Sequence, residues 1–216
     1  MCVINEKGMI IMTSYAPRDP QTDRLLAPGN SVFVIIDYQP TQIQSIESMN
    51  RHQLVQNIVA TTKLMQAYHV PIILSTVNVA TGRNKDTIDD LKAVLGDTPS
   101  YDRTTINAWE DQEFNEAVTS TNRHNIIIAA LWTEACLTFP AIDAMAEGYD
   151  VYPVVDAVGG TSLDAHEAAL RRVEQAGAHP TSYAQLACEL QRDWNRTDTV
   201  PAFLEGMFET GKFLEL

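Results

Sequence analysis

Three residues of this 216-residue chain carry side chains suited to nucleophilic chemistry, and they lie so far apart that only a fold can join them: Cys136, Asp37 and Arg103. Cys136 closes the run Leu131-Trp132-Thr133-Glu134-Ala135-Cys136, where a buried apolar stretch gives way to a helical pattern. A cysteine in the first turn of a helix meets unsatisfied N–H groups and the positive end of the helix dipole. Both lower the thiol pKa and make a nucleophile. The same N–H groups can bind an oxyanion beside the sulfur, as acyl transfer requires. Asp37 directly follows the apolar run Val32-Phe33-Val34-Ile35-Ile36 and is an acid able to take the thiol proton. Arg103 opens the block Arg103-Thr104-Thr105-Ile106-Asn107-Ala108-Trp109-Glu110 and supplies a fixed charge that can hold a thiolate or an anionic oxygen. Gln39, Asn107, Trp109 and Trp132 are the candidates for lining a substrate pocket. Each residue also has a plainer reading. A lone cysteine packs as a small hydrophobe, an acid after a strand caps a turn, an arginine pairs at the surface, and a tryptophan fills the core.

The elements that must position these side chains follow from hydrophobic periodicity. Val32–Ile36, Ile72–Val77 and Asn125–Leu131 are short apolar runs of the kind buried in parallel sheets. Tyr101–Thr105, Val151–Asp156 and an edge segment, Ala178–Tyr183, complete six candidate strands. Between them, helices are expected over Leu54–Met65, Asp86–Leu95, Glu110–Thr121 and Glu134–Glu147, the last closed by Gly148. Gly159-Gly160-Thr161-Ser162 reads as a turn in which Ser162 caps a helix running to Ala176; helices at Ala184–Trp194 and Pro201–Thr210 follow. Strands alternating with helices mean βαβ units and a mainly parallel sheet covered on both faces. In such sheets the reactive groups gather beyond the carboxyl ends of the strands, where the strand order reverses. If the order is 3-2-1-4-5-6, the first and fourth strands are neighbours, and Asp37 and Cys136 face one crevice.

Composition narrows the function class. Fifteen Lys and Arg against 28 Asp and Glu give a net charge of -13, which repels phosphate backbones and anionic lipid. Nucleic-acid and membrane-surface roles are therefore not expected. The longest apolar run, Ile126 to Trp132, falls far short of the ~20 residues of a membrane span, and no secretory pattern opens the chain, so a cytoplasmic location is expected. Cys2, Cys136 and Cys188 form no CxxC pair, and the five histidines show no HxxxH or HxH spacing, so no metal site is expected. No GxGxxG follows the first strand, which counts against a dinucleotide. Cys188 reads as packing and Cys2 as tail. Residues 1–24 read as an N-terminal arm, 25–195 as one α/β domain, and 196–216 as a C-terminal helical extension.

The chain resembles the isochorismatase-like cysteine hydrolase superfamily, especially its YcaC-like branch. The likeness rests on Val34-Ile35-Ile36-Asp37-Tyr38-Gln39, the block Arg103 to Trp109, Ile128 to Cys136, Val155-Asp156-Ala157-Val158-Gly159-Gly160-Thr161-Ser162, and Glu189 to Trp194. It spans roughly residues 25–195 in the family's order. The resemblance implies a three-layer Rossmann-like α/β fold with a six-stranded parallel sheet of order 3-2-1-4-5-6. It also implies an Asp–Lys–Cys triad that cleaves C–N or related bonds of a small molecule without metal or other cofactor. By position Asp37 is then the base and Cys136 the nucleophile. A cis peptide is implied at Leu131–Trp132, with the N–H groups of Trp132 and Cys136 as the oxyanion hole. Arg103 stands at the lysine position, as in the YcaC-like branch; it keeps the charge but cannot relay a proton. The DxHxxH of nicotinamidases is absent, which sets nicotinamide aside as substrate. Homo-oligomerisation is implied by the branch. Two other readings stand beside the hydrolase: a catalytically silent oligomeric binding or scaffold protein, and a thiol redox sensor using Cys136 alone.

Overall fold

The computed structural model describes residues 15–16 and 18–213, together with a short antiparallel backbone pair, Val3–Ile4 with Ile10–Ile11. The other positions of the expected N-terminal arm, Cys2 included, and the last three residues of the C-terminal extension lie outside the described residues.

Five parallel strands form the main sheet: β1 (Ser31–Ile36), β2 (Ile72–Val77), β3 (Ser100–Arg103), β4 (Asn125–Ala130) and β5 (Asp150–Pro153). Their order is β3-β2-β1-β4-β5. β1 and β4 are the central pair, in register from Ser31 opposite Asn125 to Ile36 opposite Ala130, and every residue of both is buried. Continuous apolar runs rather than alternating ones are what a strand covered on both faces needs. Truncating one of them, such as Ile35, would cost about 2–5 kcal/mol.

The expected sixth strand is reduced to a single parallel bridge between Val154 and Thr181. Thr181 N–H still donates to the Pro153 carbonyl (2.8 Å) and Val155 N–H to the Thr181 carbonyl (2.8 Å). The ladder stops there because the chain coils into a 3-10 turn at Val155–Ala157 on one side and enters a helix, capped by Ser182, on the other. β3 likewise ends at Arg103, two residues before the expected boundary.

The helices are α1 (Pro40–Gln44), α2 (Arg51–Ala67), α3 (Asp89–Leu95), α4 (Gln112–Thr119), α5 (Thr138–Ala146), α6 (Leu163–Gln175), α7 (Tyr183–Gln191) and α8 (Val200–Glu209). α2, α3, α7 and α8 pack together on one side of the sheet, and α4, α5 and α6 on the other, giving three layers. Ser162 caps α6 by accepting Ala165 N–H (3.1 Å), and Gly148 follows α5 with φ 94°. Cys188 lies on the exposed face of α7 rather than in its packed face, where Leu186, Ala187 and Leu190 are buried. No described helix is long and apolar enough to cross a membrane.

The segment expected to be one helix from Glu134 is two elements. A single π-helical turn covers Thr133–Leu137, and α5 begins only at Thr138. Thr138 Oγ1 donates to the Thr133 carbonyl (2.6 Å), joining the two. Cys136 therefore sits in a wide turn, not in the first turn of an α-helix. π turns of this kind recur at functional sites.

Candidate active site

Asp37 is the first residue beyond β1. Its N–H donates to the Ser75 carbonyl at 3.0 Å, and its φ of 63° turns the chain away from the sheet. Aspartate tolerates that left-handed conformation better than most residues do. Arg103 is the last residue of β3, two strands away, and reaches back across β2. Its Nη1 donates to Asp37 Oδ1 at 2.7 Å and its Nη2 to Asp37 Oδ2 at 2.8 Å, a two-pronged pair in which both side chains are fully buried. Nη1 also donates to Ser75 Oγ (3.1 Å) and the Thr76 carbonyl (3.1 Å), and Nη2 to the Ile106 carbonyl (3.2 Å). Nε is buried with no hydrogen-bond partner. Burial alone would push this guanidinium down. The hydrogen bonds and charge of Asp37, with smaller contributions from Cys136 and Asp111, hold it above its ordinary value.

Cys136 completes the group from the π turn beyond β4, its thiol close enough to the Asp37 carboxylate to feel its charge. Burial first, then the charge of Asp37, push the thiol up to about 12; Arg103 and the Trp132 backbone pull the other way without prevailing. This reverses the expected direction. The turn is not an α-helix start, and the arginine's charge is already neutralised by the carboxylate it grips, so neither offsets desolvation. The sulfur rests as a neutral thiol at neutral pH. The Leu131–Trp132 peptide is cis. Trp132 Nε1 donates to Ser45 Oγ (2.6 Å), holding the indole against the segment after α1.

Four candidates thus meet at the carboxyl end of the sheet: Asp37, Arg103, Cys136 and Trp132. The other three have their polar atoms committed elsewhere. Gln39 is fully buried; its Nε2 donates to the Val77 (3.1 Å) and Lys85 (2.6 Å) carbonyls while Oε1 accepts Val77 N–H (3.0 Å). It clamps the loop after β2 instead of presenting an amide. Asn107 donates to Asp143 Oδ2 (2.6 Å) and caps the following turn by accepting Trp109 N–H (3.1 Å). Trp109 donates to Glu147 Oε1 (2.9 Å) and packs edge-on against Phe114 and Tyr149.

Sequence reasoning missed Ser75 and the Ile106 carbonyl, which fix the guanidinium. Ser75 and Thr76 were a readable signal, being polar residues inside the apolar run of β2.

The Isochorismatase domain model matches residues 31–185, and the chain belongs to that family. It is 35% identical over 170 residues to the probable hydrolase YcaC of Escherichia coli K12, covering 78% of this chain and 81% of the relative. The solved structure of E. coli YcaC, an octameric hydrolase of unknown specificity, superposes with a TM-score of 0.81 at 30% identity, over 88% of this chain and 94% of that one. YcaC from Pseudomonas aeruginosa with hexane-2,5-diol and covalent acrylamide gives a TM-score of 0.82 at 28% identity, over 88% and 93% of the two chains.

Proposed function

We propose that the protein is a metal-independent cysteine hydrolase that cleaves a C–N, amide-type bond of a small molecule through a thioacyl intermediate. The observation that carries this reading is a single buried carboxylate, Asp37, that meets both the Arg103 guanidinium and the Cys136 thiol. Asp37 takes the thiol proton as the sulfur attacks the carbonyl carbon. The oxyanion forms at the backbone N–H groups of Trp132 and Cys136, and Arg103 stabilises the developing charge from behind Asp37. Collapse of the tetrahedral intermediate breaks the C–N bond, and the amine leaves with the proton held by Asp37. Water, deprotonated by Asp37, then attacks the thioester; as the C–S bond breaks a carboxylic acid leaves, and Asp37 hands its proton back to the sulfur.

A thiol held neutral suits this order of events, because proton transfer and attack are coupled and no free thiolate waits in the resting enzyme. It also argues against a redox sensor, which needs an exposed thiol of low pKa. The residue 25–195 unit carries the chemistry, and copies of the chain assemble into a cytoplasmic homo-oligomer.

The test is hydrolysis of a panel of small amides by the wild type and by Cys136→Ala. At least one amide should be turned over by the wild type and none by the variant. Equal activity in both would end the proposal.

A further inference from the structure

Glu134 and His166 lie outside the Asp37–Arg103–Cys136 group, yet both tether the turn that carries Cys136 to the wall facing it. Glu134 Oε1 accepts Thr161 N–H (2.9 Å) and the Thr161 hydroxyl (2.6 Å). His166, in the first turns of α6, has its Nδ1 2.8 Å from Thr133 Oγ1, and Thr133 N–H donates to the Gly159 carbonyl (2.9 Å). The loop over residues 159–161 is fixed from its other side as well. Glu47 and Ser48 N–H donate to the Gly160 carbonyl (3.0 and 3.3 Å), and Gly160 N–H donates to Ser48 Oγ (2.9 Å). That segment descends from Asp37 through α1. The loop is therefore the piece through which the turn of the acid and the turn of the thiol are held in register.

The fit at the loop is close. A Cβ on Gly160 would stand 2.6 Å from Glu134 Oε2 and 3.0 Å from His166 Cβ, so glycine lets the three elements meet without displacing either neighbour. Glu134 Oε2 itself is buried with no hydrogen-bond partner. An acceptor left in that state costs about 1–3 kcal/mol. An apolar side chain there would avoid the cost, so the contribution of this carboxylate is to geometry more than to stability.

We infer that Glu134, through Thr161, and His166, through Thr133, are positioning residues that hold the Cys136 turn against Asp37. The inference rests on the reading of Cys136 as the nucleophile. Releasing either tether lets the sulfur move away from the carboxylate and toward water, and thiolate then forms more readily while its alignment for attack is lost.

The two consequences have opposite signs, which separates positioning from simple stabilisation. In the full-length protein, iodoacetamide alkylation of Cys136 at pH 8.5 is followed by peptide mass spectrometry, with the exposed Cys188 as internal reference. Glu134→Ala and His166→Ala should each raise the Cys136 rate about tenfold relative to Cys188, the change expected for one pKa unit. Each should also lower kcat at unchanged KM for whichever amide the wild type hydrolyses. Glu134→Gln and His166→Asn, which keep a polar atom at the tether, should restore most of the wild-type behaviour. If Glu134→Ala does not fold, Thr161→Val removes only the hydroxyl bond and is measured in the same way. Alkylation within twofold of wild type in all the tether-breaking variants, with a lowered Tm alone, would overturn the inference. Failure of the hydrolase reading looks different: wild type and Cys136→Ala would share one turnover rate while the alkylation effect persisted.

Discussion

At the amino ends of the strands lies an open cleft of about 560 Å3, lined in part by Asn30, Arg123, His124, Asn125, Asp150 and Tyr152. Its His124–Asp150 pair, 3.3 Å apart, is 63% and 48% exposed. At the carboxyl ends Cys136 is 8% exposed, and the Asp37–Arg103 pair beside it is fully enclosed. The roomier end holds groups that water can satisfy as well as the protein can, so little is staked on their arrangement. The tighter end holds desolvated charges that persist only because each satisfies the other. Under the function proposed above, the chemistry is marked by enclosed, mutually dependent polar groups.

Removing one partner at each end tests that contrast. Arg103→Met leaves the Asp37 charge buried and unpaired, and urea titration should show a loss of about 3–5 kcal/mol. Arg103→Lys keeps a charge but loses the fork, and should fall between the variant and the wild type. A loss below about 1 kcal/mol for Arg103→Met, the value of a surface pair, would break the comparison.

A smaller effect sharpens it through pH. The Cys136 thiol ionises at about 12 in the folded protein, against 9 for the ordinary group. Its contribution to stability is therefore fully present below pH 9 and is lost as pH rises toward 12, because the unfolded chain sheds that proton first. Thermal melts from pH 8 to 10.5 should show the wild type losing Tm more steeply than Cys136→Ala, and parallel curves would mean the thiol is not held neutral. The smallest effect is expected at the open end. Asp150→Asn should stay within about 0.5 kcal/mol of wild type and leave amide hydrolysis unchanged.

The apolar runs of β1, β2 and β4 made the centre of the sheet readable in advance, and with it the placing of Asp37 and Cys136 at neighbouring strand ends. Arg103 was readable as a charge at the end of a weak strand, but its two-pronged hold on Asp37 depends on reaching across β2, which no local pattern encodes. In several places a tertiary partner outweighs what the local pattern shows. The polar atoms of Gln39 and Asn107 are taken up by backbone groups and by Asp143, which their sequence neighbourhoods do not disclose. The helical pattern from Glu134 does not disclose that the chain opens into a π turn before α5, and so the direction of the thiol shift was misjudged. The edge segment at 178–183 has strand-like residues but is cut short by the coils on either side of its one bridge. Glu134 and His166 escaped notice because their meeting place, the loop over 159–161, reads only as a cap for α6.

The left-handed backbone at Asp37, with φ 63°, restricts its replacements before charge is considered at all. Glycine and asparagine best share aspartate's ease in that conformation. A gene copy that drifted out of use while keeping this fold would thus be steered toward asparagine or glycine at position 37, with Arg103 left partly or wholly unanswered. Loss of function in this lineage would then be legible as a single letter at the end of the first core strand.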